Sequence, residues 1–280
     1  MMTAPLPKAD AFDAFAPTYD DDFSHTTLGH WLRQRVYHHI QPHLPPPARL
    51  LELTCGTGLD ALWFAQQGWH VTATDGSPAM VAATQQRATQ HNLNNQINAF
   101  PLTWHQFLSP SPPLSPPYQT IFSNFGGLNT TNQWPALASR FAQSLAPHGL
   151  LILTPMGPLC FWETAWYLLH ADWPRASRRW RPHTTAHIGN HTIPIYYPSL
   201  SQLTTALSPY FTHQATYSLG LLLPPSYLGH FVNRYPRLFH HLNQFEQKFA
   251  AWFRSWGDHY ITIWQRRPHH PEIDNVIHHL

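Results

Sequence analysis

Lysine is nearly missing from this chain: Lys8 and Lys248 are the only two in 280 residues. Charged residues of all kinds make up 11%, and the formal net charge is +2. A nucleic-acid surface needs clustered positive charge, so this balance leaves no electrostatic footprint for a nucleic-acid partner. Cysteine is equally scarce. Cys55 and Cys160 are too few for a disulfide scaffold, and a reducing compartment, the cytoplasm, is the default expectation. No apolar run reaches the roughly 18 residues of a membrane span. No apolar stretch follows a basic start, so neither a signal peptide nor a membrane partner is expected.

What is abundant is histidine, with 22 residues, and proline, with 28. The histidines are scattered over every segment, which reads as compositional bias. His183, His187 and His191 stand four apart, a spacing that on one helix can bind zinc. Gly189-Asn190 interrupts that helix and no carboxylate or cysteine joins it, so no metal is expected. Hydrophobic residues are 43% of the chain and aromatics 14%. That suffices for one large core, or for one domain with a sizeable insertion.

The informative stretch is Leu50-Leu51-Glu52-Leu53-Thr54-Cys55-Gly56-Thr57-Gly58, followed by the helical pattern Leu59 to Ala65. It reads as strand, tight turn, helix. Gly56 and Gly58 let the backbone bend and let a ligand come close. The helix directs its free N–H groups over the turn. A second strand, Trp69 to Thr74, ends in Asp75. In a parallel sheet both strand ends share one edge, and an acid there can accept two hydrogen bonds from a ribose diol. A nucleoside-containing ligand follows. Two kinds compete. Gly56, Gly58 and Ala61 loosely fit the dinucleotide pattern. Glu52, two residues before the turn, would repel a pyrophosphate and suits a cationic amino-acid group instead.

On those residues the chain resembles the class I S-adenosylmethionine-dependent methyltransferases. The resemblance rests on Leu-Glu-Leu-Thr-Cys-Gly-Thr-Gly (51–58) and Val-Thr-Ala-Thr-Asp-Gly-Ser-Pro-Ala-Met (71–80). Tyr-Gln-Thr-Ile-Phe-Ser-Asn-Phe (118–125) and Leu-Ala-Pro-His-Gly-Leu-Leu-Ile-Leu (145–153) support it, in the family's order. Thr54 stands where the family usually carries a third glycine. The resemblance implies an α/β, Rossmann-like sheet of seven strands, six parallel and one antiparallel, with helices on both faces. The last strand would insert between the fifth and sixth. It implies S-adenosyl-L-methionine as cofactor, held by Glu52, Thr54, Cys55, Gly56, Gly58, Asp75, Gly76, Ser77 and Met80. Trp104 and His105 stand where the family places an acid near adenine, and Trp104 could stack there. Asn124 and Phe125, at the exit of the fourth strand, would face the methyl donor or the acceptor.

The expected organisation is then a helical lid over 1–45, a cofactor-binding core over 46–156 and a helical substrate cap over 157–198. The rest of the sheet with a helical insertion occupies 199–267, and a mobile tail 268–280. Thr26 to Ile40 and Phe231 to Trp256 each read as one amphipathic helix. Trp162, Trp166, Leu169 and Trp173 recur at helical spacing in the cap. The cluster Arg175, Arg178, Arg179 and Arg181 reads as a solvated face or an anchor for an acidic group.

A sulfonium donor carries its own leaving group, so the protein has chiefly to align an acceptor and exclude water. No catalytic triad is needed and none is visible. Tyr19, His25 and Glu163 are the polar candidates for a catalytic role, with His105 and His170 as further bases. Asn129, Met156, Trp162 and Trp166 are the candidate acceptor-binding residues. An aromatic, low-charge cap suits a small apolar or aromatic acceptor, or an amine held by cation–π contacts, methylated on O or N. The alternatives are an NAD-dependent oxidoreductase and a non-catalytic protein that binds adenosylmethionine.

Overall fold

A computed structural model describes residues 9–188 and 191–268. After short helical turns at Ala9–Phe15 and Asp20–Ser24 comes α1 (Thr27–Ile40). Then strands and helices alternate: β1 (Arg49–Leu53), α2 (Leu59–Gln66), β2 (His70–Asp75), α3 (Pro78–Gln90), β3 (Ile97–Pro101) and α4 (Trp104–Phe107). β4 (Tyr118–Ser123), α5 (Trp134–Ser144) and β5 (Leu145–Leu153) complete the alternating half. The segment after β5 holds α6 (Phe161–Leu169), α7 (Trp173–Ala176), β6 (Thr184–Ile188) and β7 (His191–Ile195). The chain closes with α8 (Leu200–Leu207), β8 (Phe211–Leu219), α9 (His230–Arg234), α10 (Pro236–Phe253) and β9 (His259–Arg266).

The large sheet has seven strands in the order β3-β2-β1-β4-β5-β9-β8. β9 runs antiparallel to both β5 and β8, and the other neighbouring pairs are parallel. This is the expected six-plus-one sheet, with the last strand inserted where the resemblance put it. β1, β4 and β5 are buried along most of their length because helices cover both faces. On one face Leu32, Val36 and Ile40 of α1 pack with Phe64 of α2, Val81 of α3 and Phe239 of α10. On the other, Phe107 of α4, Leu137 and Phe141 of α5 and Leu203 of α8 form a second cluster.

Three local expectations change. The segment after β5 is not wholly helical: β6 and β7 pair antiparallel as a separate ribbon. His183 and His187 therefore lie in or beside a strand rather than on a helix, while Gly189 and Asn190 fall outside the described residues. The helix expected over Phe231 to Trp256 is two helices, because Pro236 cannot donate to the preceding turn and starts a new one. The fifth strand, expected over Leu150 to Thr154, starts at Leu145 and carries Pro147 and Gly149 within it. The predicted tail, from 269 onward, lies outside the described residues. Among the described residues no helix is long and apolar enough to cross a membrane.

Candidate functional site

β1, β2 and β4 are parallel and in register, with Leu53 beside Thr74 and Glu52 beside Phe122. Their carboxyl ends therefore meet on one rim. The turn after β1 is pinned there by the Cys55 amide, which donates to Thr74 O at 2.9 Å. Gly56 and Gly58 both have positive φ, +55° and +82°. A Cβ at Gly58 would lie 2.7 Å from the Thr84 side chain, so the close packing of turn on α3 needs glycine. Thr54 also has positive φ, +60°, without being glycine. Its hydroxyl meets Ser123 Oγ at 2.9 Å. Room for that side chain comes from Gly127, where a Cβ would lie 2.1 Å from Thr54 Oγ1.

Asp75 ends β2 and faces the turn. Its carboxylate accepts from the amides of Gly56, at 3.0 Å, and Ser77, at 2.9 Å. Burial raises its pKa, and those backbone donors oppose the rise. Ser77 caps α3 by accepting from Met80 N at 3.2 Å. Met80 and Cys55 are buried beneath the turn. Glu52 is 1% exposed, and its Oε2 is buried with no hydrogen-bond partner among the described residues. Burial, then repulsion from Asp60, pushes its pKa well up, while Arg33 opposes. A carboxylate oxygen left unpaired in the interior is costly unless a ligand or water satisfies it.

A second group of residues, which sequence reasoning missed, completes the rim. Asp60, in the first turn of α2, is buried and pairs with Arg33 of α1 at 2.5 Å. It also accepts from Tyr37 Oη at 2.7 Å and Asn124 Nδ2 at 3.1 Å. The Arg33 guanidinium lies 4.9 Å from the centroid of the Phe125 ring. The only hint in the sequence was an acid inside the otherwise apolar helix Leu59–Gln66. Asn124 thus stands on the rim, but Asp60 and the Phe125 amide take its amide group.

The N-terminal segment lies across this rim. The Tyr19 ring covers Gly56, 3.9 Å from where its Cβ would be. Burial is the largest cause of the rise in the Tyr19 phenol, pushed up to about 12, so at neutral pH it donates rather than accepts protons. Asp13 accepts from Ser77 Oγ and from the Ala79 amide. Asp20 accepts from Thr57 Oγ1 at 2.7 Å and pairs with Arg87. The cavity left between Tyr19, Arg33, the turn and Asn124 is about 30 Å³, roughly the size of one water. The N-terminal segment thus covers the turn and leaves little space above it.

The other sequence candidates fall elsewhere. His25 is largely exposed and meets Asp21 at 3.3 Å, outside the cavity lining. Glu163 is not a free base. It is buried, and accepts from both Arg178 and Arg179 and from Tyr227 Oη. Those partners hold its carboxyl below the usual range although burial opposes them. Two of the four arginines expected as a solvated face or an anchor, Arg178 and Arg179, are thereby engaged by Glu163. Asn129 is fully buried and staples backbone: its amide donates to Met156 O and Tyr196 O and accepts from Met156 N. Trp162 and Trp166 are half-buried against Phe239 and Phe231. Trp104 stacks on its neighbour His105 and packs into the core beside α5. Gly76 approaches Thr103, the cap residue of α4.

β9 brings one more group to the rim. Because it runs antiparallel, its first residue lies at the carboxyl edge, where Met156 bridges to His259. His259 Nδ1 meets Asp258 Oδ2 at 3.0 Å, and its ring stands edge-on to Phe125, 5.9 Å between centroids. Arg179 clamps Asp258, and with His259 it holds that carboxyl far below its ordinary value against the effect of burial.

A model of the methyltransferase domain family matches residues 28–207, well over half of the chain. The chain belongs to that family. This methyltransferase is 34% identical over 92 residues to the demethylmenaquinone methyltransferase of Lactiplantibacillus plantarum, 31% of its own length and 38% of that protein. It spans well under half the length of the curated relatives it matches. Among solved structures it is similar to the CcbJ methyltransferase from Streptomyces caelestis, with a TM-score of 0.61 at 12% identity, covering 94% of this chain and 100% of that one. It is also similar to the [4+2]-cyclase SpnF, with a TM-score of 0.58 at 14% identity, covering 95% and 99%. These two likenesses show the fold. Family and fold together assign S-adenosyl-L-methionine to the methyltransferase's cleft. The rim fits that group: an unpaired Glu52 oxygen for a cation, Asp75 at the end of β2 and, between them, a turn in which Gly56 and Gly58 carry no side chain.

Proposed function

We propose that this methyltransferase transfers the methyl group of S-adenosylmethionine to the oxygen or nitrogen of a small molecule held between the lid and the segment after β5. The observation that carries the reading is the buried, unpartnered Oε2 of Glu52 on the same rim as Asp75 and Gly56. An amino-acid ammonium answers that oxygen, and a nicotinamide dinucleotide does not. Arg33, the one cation lining the cavity there, would receive the carboxylate of the same amino acid. Asp75 would hold the ribose. Bound at the rim, the cofactor supplies an electrophilic methyl on a good leaving group.

The residues around it then have two tasks. The lid and the aromatic pair Phe23–Phe125, 5.0 Å apart, exclude water and position the acceptor. A hydroxyl acceptor must also lose a proton. Of the groups on the rim, His259 is the best placed, because Asp258 fixes its Nδ1 and leaves Nε2 to accept. This role replaces Glu163, whose carboxylate is held by its own arginines.

The experiment is a panel of phenols, alcohols and amines incubated with S-adenosylmethionine, reading the release of S-adenosylhomocysteine. Turnover on at least one is expected. On that acceptor His259→Gln should lower kcat by about 10²-fold or more with adenosylhomocysteine affinity kept. Cofactor binding without turnover on any of them would favour a non-catalytic binder. The likeness to SpnF gives reason to test a second reading, that the fold here serves a reaction other than methyl transfer.

A further inference from the structure

Five of the exposed large apolar side chains line one stretch of surface. Along the outer face of α10, Leu238, Phe245 and Trp252 stand seven residues apart, 55%, 48% and 82% exposed. Seven residues is two turns, so the three lie in one stripe. The opposite face of the helix makes the core contacts through Phe239, Glu246 and Ala250. The stripe is extended by ring contacts from Phe245 to Phe249 and on to Trp252. Beyond the helix Trp256 and Phe161, each 50% exposed, continue it to the start of α6. Singly exposed apolar groups need no explanation, but a contiguous aromatic stripe does.

The charges around it have one sign. The only acids between 161 and 256 are Glu163, Asp172 and Glu246. Glu163 is buried with Arg178 and Arg179, and Glu246 is buried with Arg35. Asp172 meets Arg175 at 3.3 Å. Exposed Arg237 and Lys248 flank the stripe on its solvent side, with Arg234 and Arg254 at the ends of α9 and α10. Lys248 is one of the chain's two lysines. The small overall charge thus conceals a division, with acids elsewhere and bases here.

We propose that this face docks on an anionic lipid surface, with α10 lying in the plane of the headgroups. Trp, Phe and Leu on one side of a helix with basic residues beside them is the pattern of an interfacial helix. Anionic headgroups answer the basic flank, and the acyl boundary takes the stripe. A second copy of the chain would bring like charge against like. A nucleic acid would leave Leu238 and Phe245 without an apolar partner. The expectation of no membrane partner rested on the absence of a spanning run, and a surface helix needs none. The docked face reaches the start of α6 through Phe161. The docking itself does not depend on the methyl-transfer reading.

The test is co-sedimentation of the full chain with vesicles of phosphatidylglycerol mixed with phosphatidylcholine, and with phosphatidylcholine alone. Binding to the anionic vesicles is expected to be at least about tenfold tighter and to weaken with added salt. The double variant Phe245→Glu, Trp252→Glu changes only exposed positions. It should keep the wild-type melting temperature and lose vesicle binding at least tenfold. A second variant, Lys248→Glu, should weaken binding to anionic vesicles without affecting folding. Equal affinity for both vesicle types, no sedimentation with either, or unchanged binding of the double variant would overturn the proposal. So would a dimer in sedimentation equilibrium that the double variant dissolves, or binding to a single-stranded RNA oligomer in place of vesicles.

Discussion

The Asp20 carboxylate accepts from the Thr57 hydroxyl at 2.7 Å, tying the N-terminal segment to the glycine turn. The same carboxylate pairs with Arg87 of α3. Against the effect of burial, Thr57 and Arg87 keep its pKa low. This latch holds Tyr19 over Gly56 and narrows the space above the turn. Asp20→Ala should therefore raise the association rate of S-adenosylhomocysteine by about five-fold, as expected from loss of a half-buried charge pair worth about 1 kcal/mol. Stopped-flow fluorescence measures it. An unchanged rate would mean that the lid opens by another route. Because the low Asp20 pKa stabilises the latch only above its unfolded value, the latch should weaken as pH falls into the carboxylate range.

Glu163 separates a structural from a catalytic role. Replacing it with Gln leaves Arg178 and Arg179 short of a buried counter-charge. The expected cost is about 3–5 kcal/mol of stability, the usual result of breaking a buried pair. Denaturant unfolding reads it directly. A variant that keeps its stability but loses turnover would return Glu163 to the list of catalytic groups.

How far the sequence could be read follows from its physics. The rim was legible because alternating apolar runs, two glycines and Asp75 encode strand ends and turn locally. The Arg33–Asp60 pair was not, since Arg33 on a helix reads as solvated until the lid is folded over it. Asn124 stands at the exit of β4, as its place after an apolar run implied, yet its partners Asp60 and Phe125 could not be inferred from spacing. Glu163 was read as facing an acceptor because Arg178 and Arg179, fifteen and sixteen residues on, carry no periodic link to it. His259 was invisible among 22 histidines. Only the antiparallel run of β9 brings it beside Phe125. The β6–β7 ribbon was missed because proline and histidine mask its alternation.

A pH dependence follows from His39. It is buried against Tyr217, with ring centroids 4.3 Å apart. Burial, and then the nearby His38, Arg35 and His43, push its imidazole down to about 4. In the unfolded chain the same group takes a proton near its ordinary 6.5. Between these values the unfolded state binds more protons, so stability is full above about pH 6.5 and falls as pH drops toward 4. His39→Phe keeps the stack and removes the proton site. Its melting temperature should fall less steeply than wild type across that window. Identical slopes would contradict the assignment.

Glu52, the glycine turn and Asp75 are proposed here as one adenosyl amino-acid site. Titration calorimetry of the purified chain with S-adenosylhomocysteine, and separately with NADH, tests it most directly. Saturable heat is expected with adenosylhomocysteine and none with NADH, and affinity should be about ten- to a hundredfold weaker in Asp75→Ala, through loss of charge-assisted hydrogen bonds to the ribose. Binding of NADH alone, or an Asp75→Ala variant that binds adenosylhomocysteine as well as wild type, would contradict it.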